Sequence, residues 1–292
     1  MSSNTEPLLD TIVSYPLGEV SSAGSIVHLE PTGDGQTIVV LDVTAAHPID
    51  SAWPDQGADR GALHVDGLAL PISDVLVCAS DGSDFFAGSD IPVKKGADGW
   101  TFVVGHVVST DAALRLGRQV TVEIDPAHRR ALSAGHTACH LASLALNAAL
   151  AEDWTKEVAP DGRGVANFDG EAIASSRIEE FGSTDSYRLG KSLKKRGFDK
   201  TRVLAETDAV AARVNAQLAE WVASAAAVDI RRDGDSLTAR RFWECALPDG
   251  SASIPCGGTH LTSLAELAAV TVTLHASEDG TELTMRTAAV PA

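Results

Sequence analysis

The order of apolar and polar positions divides the chain into a strand-rich first part and a mixed second part. From Ser25 to about Ile124, short segments rich in Val and Ile alternate with turn-forming Asp-Gly pairs. Strands at this spacing, with few helical patterns among them, are typical of a small barrel or sandwich. The clearest predicted strands are Thr37 to Val43, Ile72 to Ala79, Trp100 to Val107 and Gly117 to Asp125.

Pro126 marks the boundary, and the apolar run from Ala134 to Leu150 after it predicts a long helix. A second, core-facing helix is predicted over 207–230, where apolar residues recur at spacings of four, four and three: Val210, Val214, Leu218 and Trp221. The later segments predict strands of a second sheet and one short helix; the strands are Arg240 to Ala246, Ala268 to Leu274 and Leu283 to Thr287, and the helix is Leu261 to Leu267.

The segment between Glu152 and Gly182 is polar and turn-rich, which indicates an excursion of the chain over the functional site rather than a domain linker. The pattern as a whole predicts an α+β protein. Its β-rich first domain covers 1–125, and an α+β domain with an antiparallel sheet flanked by helices covers 126–292.

Composition narrows the class of protein. Of the 292 residues, 44% are hydrophobic and 22% charged, as in soluble globular proteins. No apolar run is long enough to span a bilayer, and the first ten residues lack the basic and apolar segments of a secretion signal. The four cysteines are scattered rather than spaced as a disulfide framework. We therefore expect a cytoplasmic protein that has no membrane partner.

The net charge of −17 argues against a general affinity for nucleic acid, DNA included. One basic cluster stands out against this acidity, between Tyr187 and Arg202. It is compatible with a solvated helix face, a local site for a phosphate backbone or a contact between subunits, and the oligomeric state stays open. Its cations are Arg188, Lys191, Lys194, Lys195, Arg196, Lys200 and Arg202.

Two five-residue motifs carry candidate metal ligands. In the first, His136 and His140 stand four residues apart on the predicted helix and therefore project from one face. In the second, Cys256 and His260 are separated by three residues, two of them Gly, so that the chain can turn both donors toward one point. Three imidazoles and a thiolate form a tetrahedral N/S set that suits Zn²⁺.

The motifs His-Thr-Ala-Cys-His and Cys-Gly-Gly-Thr-His together resemble the editing domain of alanyl-tRNA synthetase and the free-standing editing proteins called AlaX. The segment from Trp53 to Gly61 is more loosely similar to an aromatic-Pro-acidic start followed by Gln and Asp-x-Gly in that family. The order of parts, which is strand-rich barrel, His helix, excursion, Cys-His turn and final strands, matches over most of the chain.

The resemblance implies an enzyme that hydrolyses a wrongly attached amino acid, serine or glycine, from alanine tRNA in trans. It implies a barrel over 1–125 and a zinc-dependent editing domain over 126–292. Zn²⁺ would be held by His136, His140, Cys256 and His260. The residues beside these ligands, Thr137, Thr259, Gly257 and Gly258, are candidates for contact with the ester, a serine hydroxyl or the attacking water. The alternative for Thr137 is a bond back to the preceding helical turn, and the alternative for the glycines is that they only permit the turn. The acceptor end of the mischarged tRNA would contact Arg188, Lys191, Lys194, Lys195 and Arg196.

The chain departs from the family pattern in three places. A run of glycines is missing before Gln56, so that Asp55 joins it directly. The stretch 153–202 is long and polar, which indicates either a lid or acceptor-stem contact or a plain surface insertion. Cys139, between the two histidines, is expected to be a small buried residue beside the site rather than a fifth ligand.

Two other functions remain open at this point. The acidity and the missing glycines favour a hydrolase of a small ester or amide that has lost tRNA binding. Four protein ligands would also close the tetrahedron around a structural Zn²⁺ in a non-catalytic module.

Overall fold

The computed structural model describes residues 7–33, 35–110 and 113–292. It has two compact units: Met1–Arg129 with Arg232–Arg240, and Arg130–Arg231 with Arg241–Ala292. The protein is mixed α+β with several sheets, as the sequence predicts, and strands outnumber helices. The expected absence of a secretion signal concerns the first ten residues, and residues 1–6 of these lie outside the described residues. Among the helices that are described, none is long and apolar enough to cross a membrane.

The first unit is built from antiparallel strands, apart from one short parallel pair of Ile12–Val13 with Val43–Thr44, and its inward residues form a hydrophobic core. Its strands are β1 (Ile12–Val13), β2 (Ser21–Pro31), β3 (Gln36–Leu41), β4 (Val43–Thr44), β5 (Gly61–Val65), β6 (Leu68–Ser80), β7 (Phe85–Ala87), β8 (Thr101–Ser109) and β9 (Gln119–Ile124). Seven of them pair in the order β5-β9-β2-β3-β8-β6-β7, and β5 pairs with β6 as well. Because β5 pairs with β9 on one side and with β6 on the other, the series of pairings that starts at β5 returns to β5.

The second unit begins with a long helix and alternates helices with strands. Its elements are α1 (Pro126–Ala149), α2 (Phe168–Ala172), β10 (Ile173–Glu179), β11 (Gly182–Arg188), α3 (Lys191–Arg196), α4 (Thr201–Ala205), α5 (Thr207–Ala223), β12 (Val228–Arg232), β13 (Arg241–Cys245), β14 (Ala252–Pro255), β15 (Leu267–Ala276) and β16 (Glu282–Pro291). Four strands form an antiparallel sheet in the order β10-β11-β16-β15, and three form a second sheet in the order β12-β13-β14.

Helices α1 and α5 both pack on the four-stranded sheet. On α5, the Asn215 amide exchanges two hydrogen bonds with the backbone of Val272 in β15. On α1, Gly135 lies against the turn between β10 and β11, where a Cβ would come within 2.3 Å of the Glu179 carbonyl oxygen. The amide of Phe181 in that turn donates to the Ala131 carbonyl of the same helix. A helix can approach backbone this closely only where it has no side chain.

Four predictions about the second part are wrong in whole or in part. The helix predicted over 207–230 ends at Ala223, and residues 228–230 belong to β12. The excursion predicted between Glu152 and Gly182 is a loop only in part, because residues 173–179 form β10 of the sheet. Farther along the stretch 153–202, β11 lies between two strands and Tyr187 is buried in the core, so this part is not a plain surface insertion. The helix predicted from Leu261 to Leu267 is absent, because residues 264–266 form a single 3₁₀ turn and Leu267 already pairs with β16. The segment 241–245 belongs to a different sheet from β15 and β16.

Candidate metal centre

Helix α1 positions the first two candidate ligands. The helix starts at Pro126, after Asp125, whose carboxylate accepts hydrogen bonds from the amides of residues 127 and 128. The predicted four-residue spacing holds, since the imidazole centroids of His136 and His140 lie 4.8 Å apart on one face. His136 is buried, so its ring faces the interior of the unit.

The second motif follows β14 directly. The amide of Cys256 donates to the Arg241 carbonyl, which continues the pairing of β14 with β13 to the end of the strand. Two residues later, the amide of Gly258 lies 3.4 Å from the Cys256 sulfur. A backbone N–H directed at sulfur stabilises its thiolate form. Gly257 has open space around the position of a Cβ, so its small size is not required by packing.

The four predicted ligands come together. Donor atoms of His136, His140, Cys256 and His260 all lie within 4.8 Å of one another. The Cys256 sulfur lies 3.4 Å from Nε2 of His136 and 3.3 Å from Nε2 of His260. Zinc–nitrogen and zinc–sulfur bonds of about 2.0–2.3 Å imply tetrahedral edges of roughly 3.3–3.6 Å, which match these separations.

One unsatisfied atom points to a ligand. Nε2 of His140 is buried without a hydrogen-bond partner among the described residues. Burial lowers the pKa of this imidazole from 6.5 to about 4, so the ring is neutral and keeps a lone pair. Buried polar atoms are normally satisfied, and a metal ion would satisfy this one. The cluster fits a metal ion, and its N/S composition does not by itself identify which.

Residues around the cluster fix the orientation of its rings. The buried Thr137 hydroxyl lies 3.3 Å from Nδ1 of His260 and accepts a hydrogen bond from the Leu261 amide. This contact leaves Nε2 of His260 facing the cluster, the arrangement that commonly supports a metal-bound histidine. The buried Thr259 hydroxyl accepts a bond from Ser133, one helical turn before Thr137. The two threonines therefore tie the second motif to α1.

Trp243 packs beside the candidate ligands, although no sequence motif marks it. The indole ring of Trp243, on β13, is fully buried with its centroid 5.2 Å from that of His140 and 6.2 Å from that of His260. A tryptophan in a strand is equally typical of ordinary core, so only its position reveals that it packs beside the site. It restricts the rotation of two candidate ligands.

Cys139 is buried and its sulfur is not among the grouped donor atoms, as predicted. Its thiol contacts the carboxylate of Asp185 at 3.6 Å, and that carboxylate accepts bonds from the hydroxyls of Ser176 and Ser183. Burial, followed by the nearby Asp185, raises the pKa of the Cys139 thiol well above its ordinary value. The thiol is therefore protonated and donates to the carboxylate.

A polar cavity of about 350 Å³ adjoins the cluster. His140 forms part of its wall together with one face of α1, the loop 160–167, the first turn of α2 and the end of β14. The polar side chains in the lining are Ser143, Asn147, Asp161, Asn167, Asp169 and Ser253. Sequence patterns could not reveal this cavity, because its walls come from three segments that are distant in the chain.

The basic cluster separates into two groups. Three of its cations bind the protein itself: Arg196 pairs with Glu171, Lys200 donates to the carbonyls of residues 189 and 280, and Arg202 binds Asp153 through two hydrogen bonds of 2.6 and 2.7 Å. Arg188 is exposed at the end of β11, and the exposed lysines of α3 are Lys191, Lys194 and Lys195. A groove of about 670 Å³ runs beside Lys191 and Lys194.

The N-terminal segment of the resemblance belongs to the first unit. Gln56 is buried there, and the Asp59 carboxylate accepts hydrogen bonds from the His47 amide and from Nε of Arg129. Both groups of the Asp59–Arg129 pair are buried, so removing either would leave an unpaired charge. Asp59 therefore holds the first unit together.

Comparison with known proteins finds no matching family model. The chain is 27% identical to the alanine–tRNA ligase of Nostoc punctiforme over 250 residues, which are 80% of this chain and 22% of the ligase. It is 27% identical to that of Frankia casuarinae over 269 residues, 89% of this chain and 26% of the ligase. The chloroplastic/mitochondrial ligase of Ostreococcus lucimarinus is 32% identical over 44% of this chain and 12% of the ligase. The chain spans between 12% and 26% of these relatives. These similarities support a relationship to alanine–tRNA ligases over part of the chain.

Proposed function

We propose that this protein is a zinc-dependent hydrolase that removes wrongly attached serine or glycine from alanine tRNA in trans. The observation that carries the proposal is the convergence of four N/S donors within 4.8 Å in a chain related to alanine–tRNA ligases. The three imidazoles and one thiolate favour zinc over metals that prefer oxygen ligands. The proposal includes the cytoplasmic location that the sequence predicts.

His136, His140, Cys256 and His260 would hold the ion. When bound, zinc supplies positive charge that polarises a water or orients the substrate beside it. Thr137 would act through His260, because its hydroxyl orients the imidazole ring. Thr259 would hold the second motif against α1, because its hydroxyl binds Ser133 on that helix. Direct contact of either threonine with the ester remains part of the proposal.

The two glycines of the second motif have different surroundings. Gly258 is buried with its amide directed at the Cys256 sulfur, whereas Gly257 is exposed. Open space at Gly257 lets the ester approach the backbone without meeting a side chain. Backbone amides at this position would stabilise the negative charge that develops on the carbonyl oxygen during hydrolysis.

The acceptor end of the tRNA would bind along α3 and the end of β11. Arg188, Lys191, Lys194 and Lys195 are exposed there, and Lys156 adds a further cation because its ammonium donates to the Lys195 carbonyl. Arg196 would contribute less, since Glu171 already neutralises it. A local concentration of cations lets an acidic protein bind a polyanion at one place.

The fold assignment extends to both domains. We propose that the ring of antiparallel pairings within 1–125 is the small barrel expected from the sequence, and that 126–292 is the zinc-binding editing domain. The pairing of β5 with both β9 and β6 supports the first assignment. The placement of all four candidate ligands in the second unit supports the assignment of 126–292 as the editing domain.

The test is single-turnover deacylation of seryl-, glycyl- and alanyl-tRNA for alanine, with and without a chelator. Chelator-sensitive release of serine or glycine, with alanine retained, is the expected result. Loss of folded structure on chelation, together with no release from the loaded protein, would instead identify a structural zinc. Hydrolysis of simple aminoacyl esters without any preference for tRNA would identify a small-ester hydrolase.

A further inference from the structure

The cavity beside His140 contains two polar groups that the protein does not use. Asp169 accepts a hydrogen bond from the Tyr187 hydroxyl through Oδ1, whereas no described residue binds its Oδ2. Asn167 accepts hydrogen bonds through its side-chain oxygen from the Gly170 amide and from the Asn147 side chain, and no described residue binds its side-chain nitrogen. One carboxylate acceptor and one amide donor are therefore available within the lining.

The other polar side chains of the lining maintain the loop. Asn147 on α1 donates to Asp161 and accepts from the Asp169 amide, and it thereby joins the helix to both ends of the loop. The Asp161 carboxylate also accepts from the amides of residues 163 and 165. These bonds hold the loop in place and leave Asp169 as the anionic group of the cavity with an unused oxygen.

The charge of the lining restricts what can occupy the cavity. It includes two carboxylates, and apart from the candidate ligand His140 it includes no basic side chain. Near these two carboxylates a phosphate or a carboxylate would be repelled, whereas an ammonium group would be attracted; the positive charge of a metal ion would act beside His140 instead. Burial also opposes the ionised form of Asp169, so a cationic ligand would relieve an unfavourable charge.

We propose that Asp169 binds the α-ammonium group of the aminoacyl ester and that the small amino acid occupies this cavity. The inference rests on the proposed deacylase function, which it deepens. An aminoacyl ester carries an ammonium group but no free carboxylate, which is the charge pattern that the lining accepts. Because His140 and Asp169 line the same small cavity, the ester lies at the candidate metal centre while its amine reaches Asp169.

The experiment compares two substrates that differ only at the α position: glycyl-tRNA, which has an amine, and glycolyl-tRNA, which has a hydroxyl. In Asp169→Asn the side chain keeps its size and can still accept from Tyr187, but it loses its charge. We expect kcat/KM for glycyl-tRNA to fall roughly 10- to 100-fold, the range for losing a hydrogen bond between charged groups. Glycolyl-tRNA should change by less than about threefold.

Binding provides a readout independent of turnover. Serinamide, a cation without a carboxylate, should bind the zinc-loaded wild type more tightly than it binds Asp169→Asn, whereas glycolamide, which has no ammonium group, should bind both proteins equally. The matched control is Asp229→Asn, which removes the same charge from an exposed position on β12. It should behave as the wild type in both assays.

The outcomes separate this inference from the proposed function. An equal loss on glycyl- and glycolyl-tRNA, with zinc content and melting temperature unchanged, would overturn the role of Asp169 and leave the deacylase function standing. Equal binding of serinamide by the wild type and by Asp169→Asn would also overturn it. If the wild type hydrolysed neither substrate, the proposed function itself would fail.

Discussion

Replacement of Gly135 by Ala should remove the metal without melting the helix that carries its ligands. The added Cβ would lie 2.3 Å from the Glu179 carbonyl oxygen and 2.6 and 2.8 Å from two backbone atoms of Gly182. Relief to an ordinary contact of about 3.4 Å requires α1 and the β10–β11 turn to separate by roughly 1 Å. His136 is the next residue on α1, and metal sites tolerate displacements of only about 0.2 Å.

The cost in stability can be bounded from the same contacts. Overpacking against backbone that cannot rotate away costs roughly 1–3 kcal/mol. Alanine recovers about 1 kcal/mol of helix propensity relative to glycine. A net loss of up to about 2 kcal/mol corresponds to a fall in Tm of roughly 4–8 °C for a protein of this size. The fold should therefore survive while the metal site does not.

The assay measures zinc per chain after dialysis against a weak chelator, and Tm by circular dichroism on metal-free protein. Gly257→Ala is the matched control, because it places the same methyl group next to a candidate ligand in open space. It should retain zinc at the wild-type level. Full zinc occupancy and an unchanged Tm in Gly135→Ala would refute the close approach of helix and turn.

Three further predictions test other parts of the site. Thr137→Val removes the hydroxyl beside Nδ1 of His260, so zinc affinity in a competition titration should fall about 10- to 100-fold; an unchanged affinity would show that packing alone orients the ring. Replacement of the exposed α3 lysines by Glu should weaken deacylation of tRNA far more than deacylation of a minimal aminoacyl ester; these residues are Lys191, Lys194 and Lys195. The rate with tRNA should also depend less steeply on salt. Equal losses on both substrates would show that the patch is structural. Burial raises the pKa of Asp169 from 3.8 to about 6, so the folded state holds its proton to higher pH than the unfolded chain does. The stability that this proton gives is complete below about pH 4 and is lost as the pH rises to about 6. The free energy of unfolding of Asp169→Asn, measured by denaturant titration, should lack this decline between about pH 4 and 6. Identical pH profiles for the variant and the wild type would show that the pKa of Asp169 is not raised.

The ligand group could be predicted from sequence because local geometry determines most of it. Two histidines four residues apart on a helix must share a face, and a Cys-Gly-Gly-Thr-His segment can turn back on itself. What brings the two motifs together is long-range: the hydroxyl bonds of Ser133 and Thr137 to residues 259 and 261. No periodicity records such pairs.

The polar sequence of β11 explains why the sequence pattern does not predict this strand. Its sequence, Gly-Ser-Thr-Asp-Ser-Tyr-Arg, has the polarity of a loop. Asp185 and the serines around it satisfy one another beneath α1, so polar residues occupy positions where a strand normally buries aliphatic ones. The error at Leu261 to Leu267 has the opposite origin, since the helix formers Leu264, Ala265 and Glu266 complete only one 3₁₀ turn before Leu267 pairs with β16.

The first unit is not a continuous stretch of chain. Residues 232–240 return to it after more than a hundred residues that belong to the second unit. There the Leu237 amide donates to the Thr11 carbonyl, and the Val13 amide donates to the Asp235 carbonyl. A protease cut or a gene truncation after Arg129 would therefore strip the N-terminal fragment of a segment that it needs. The remainder would keep that segment without its partners. The two units have to be inherited and expressed together, and recombination that exchanged either one at a single crossover would produce two damaged proteins.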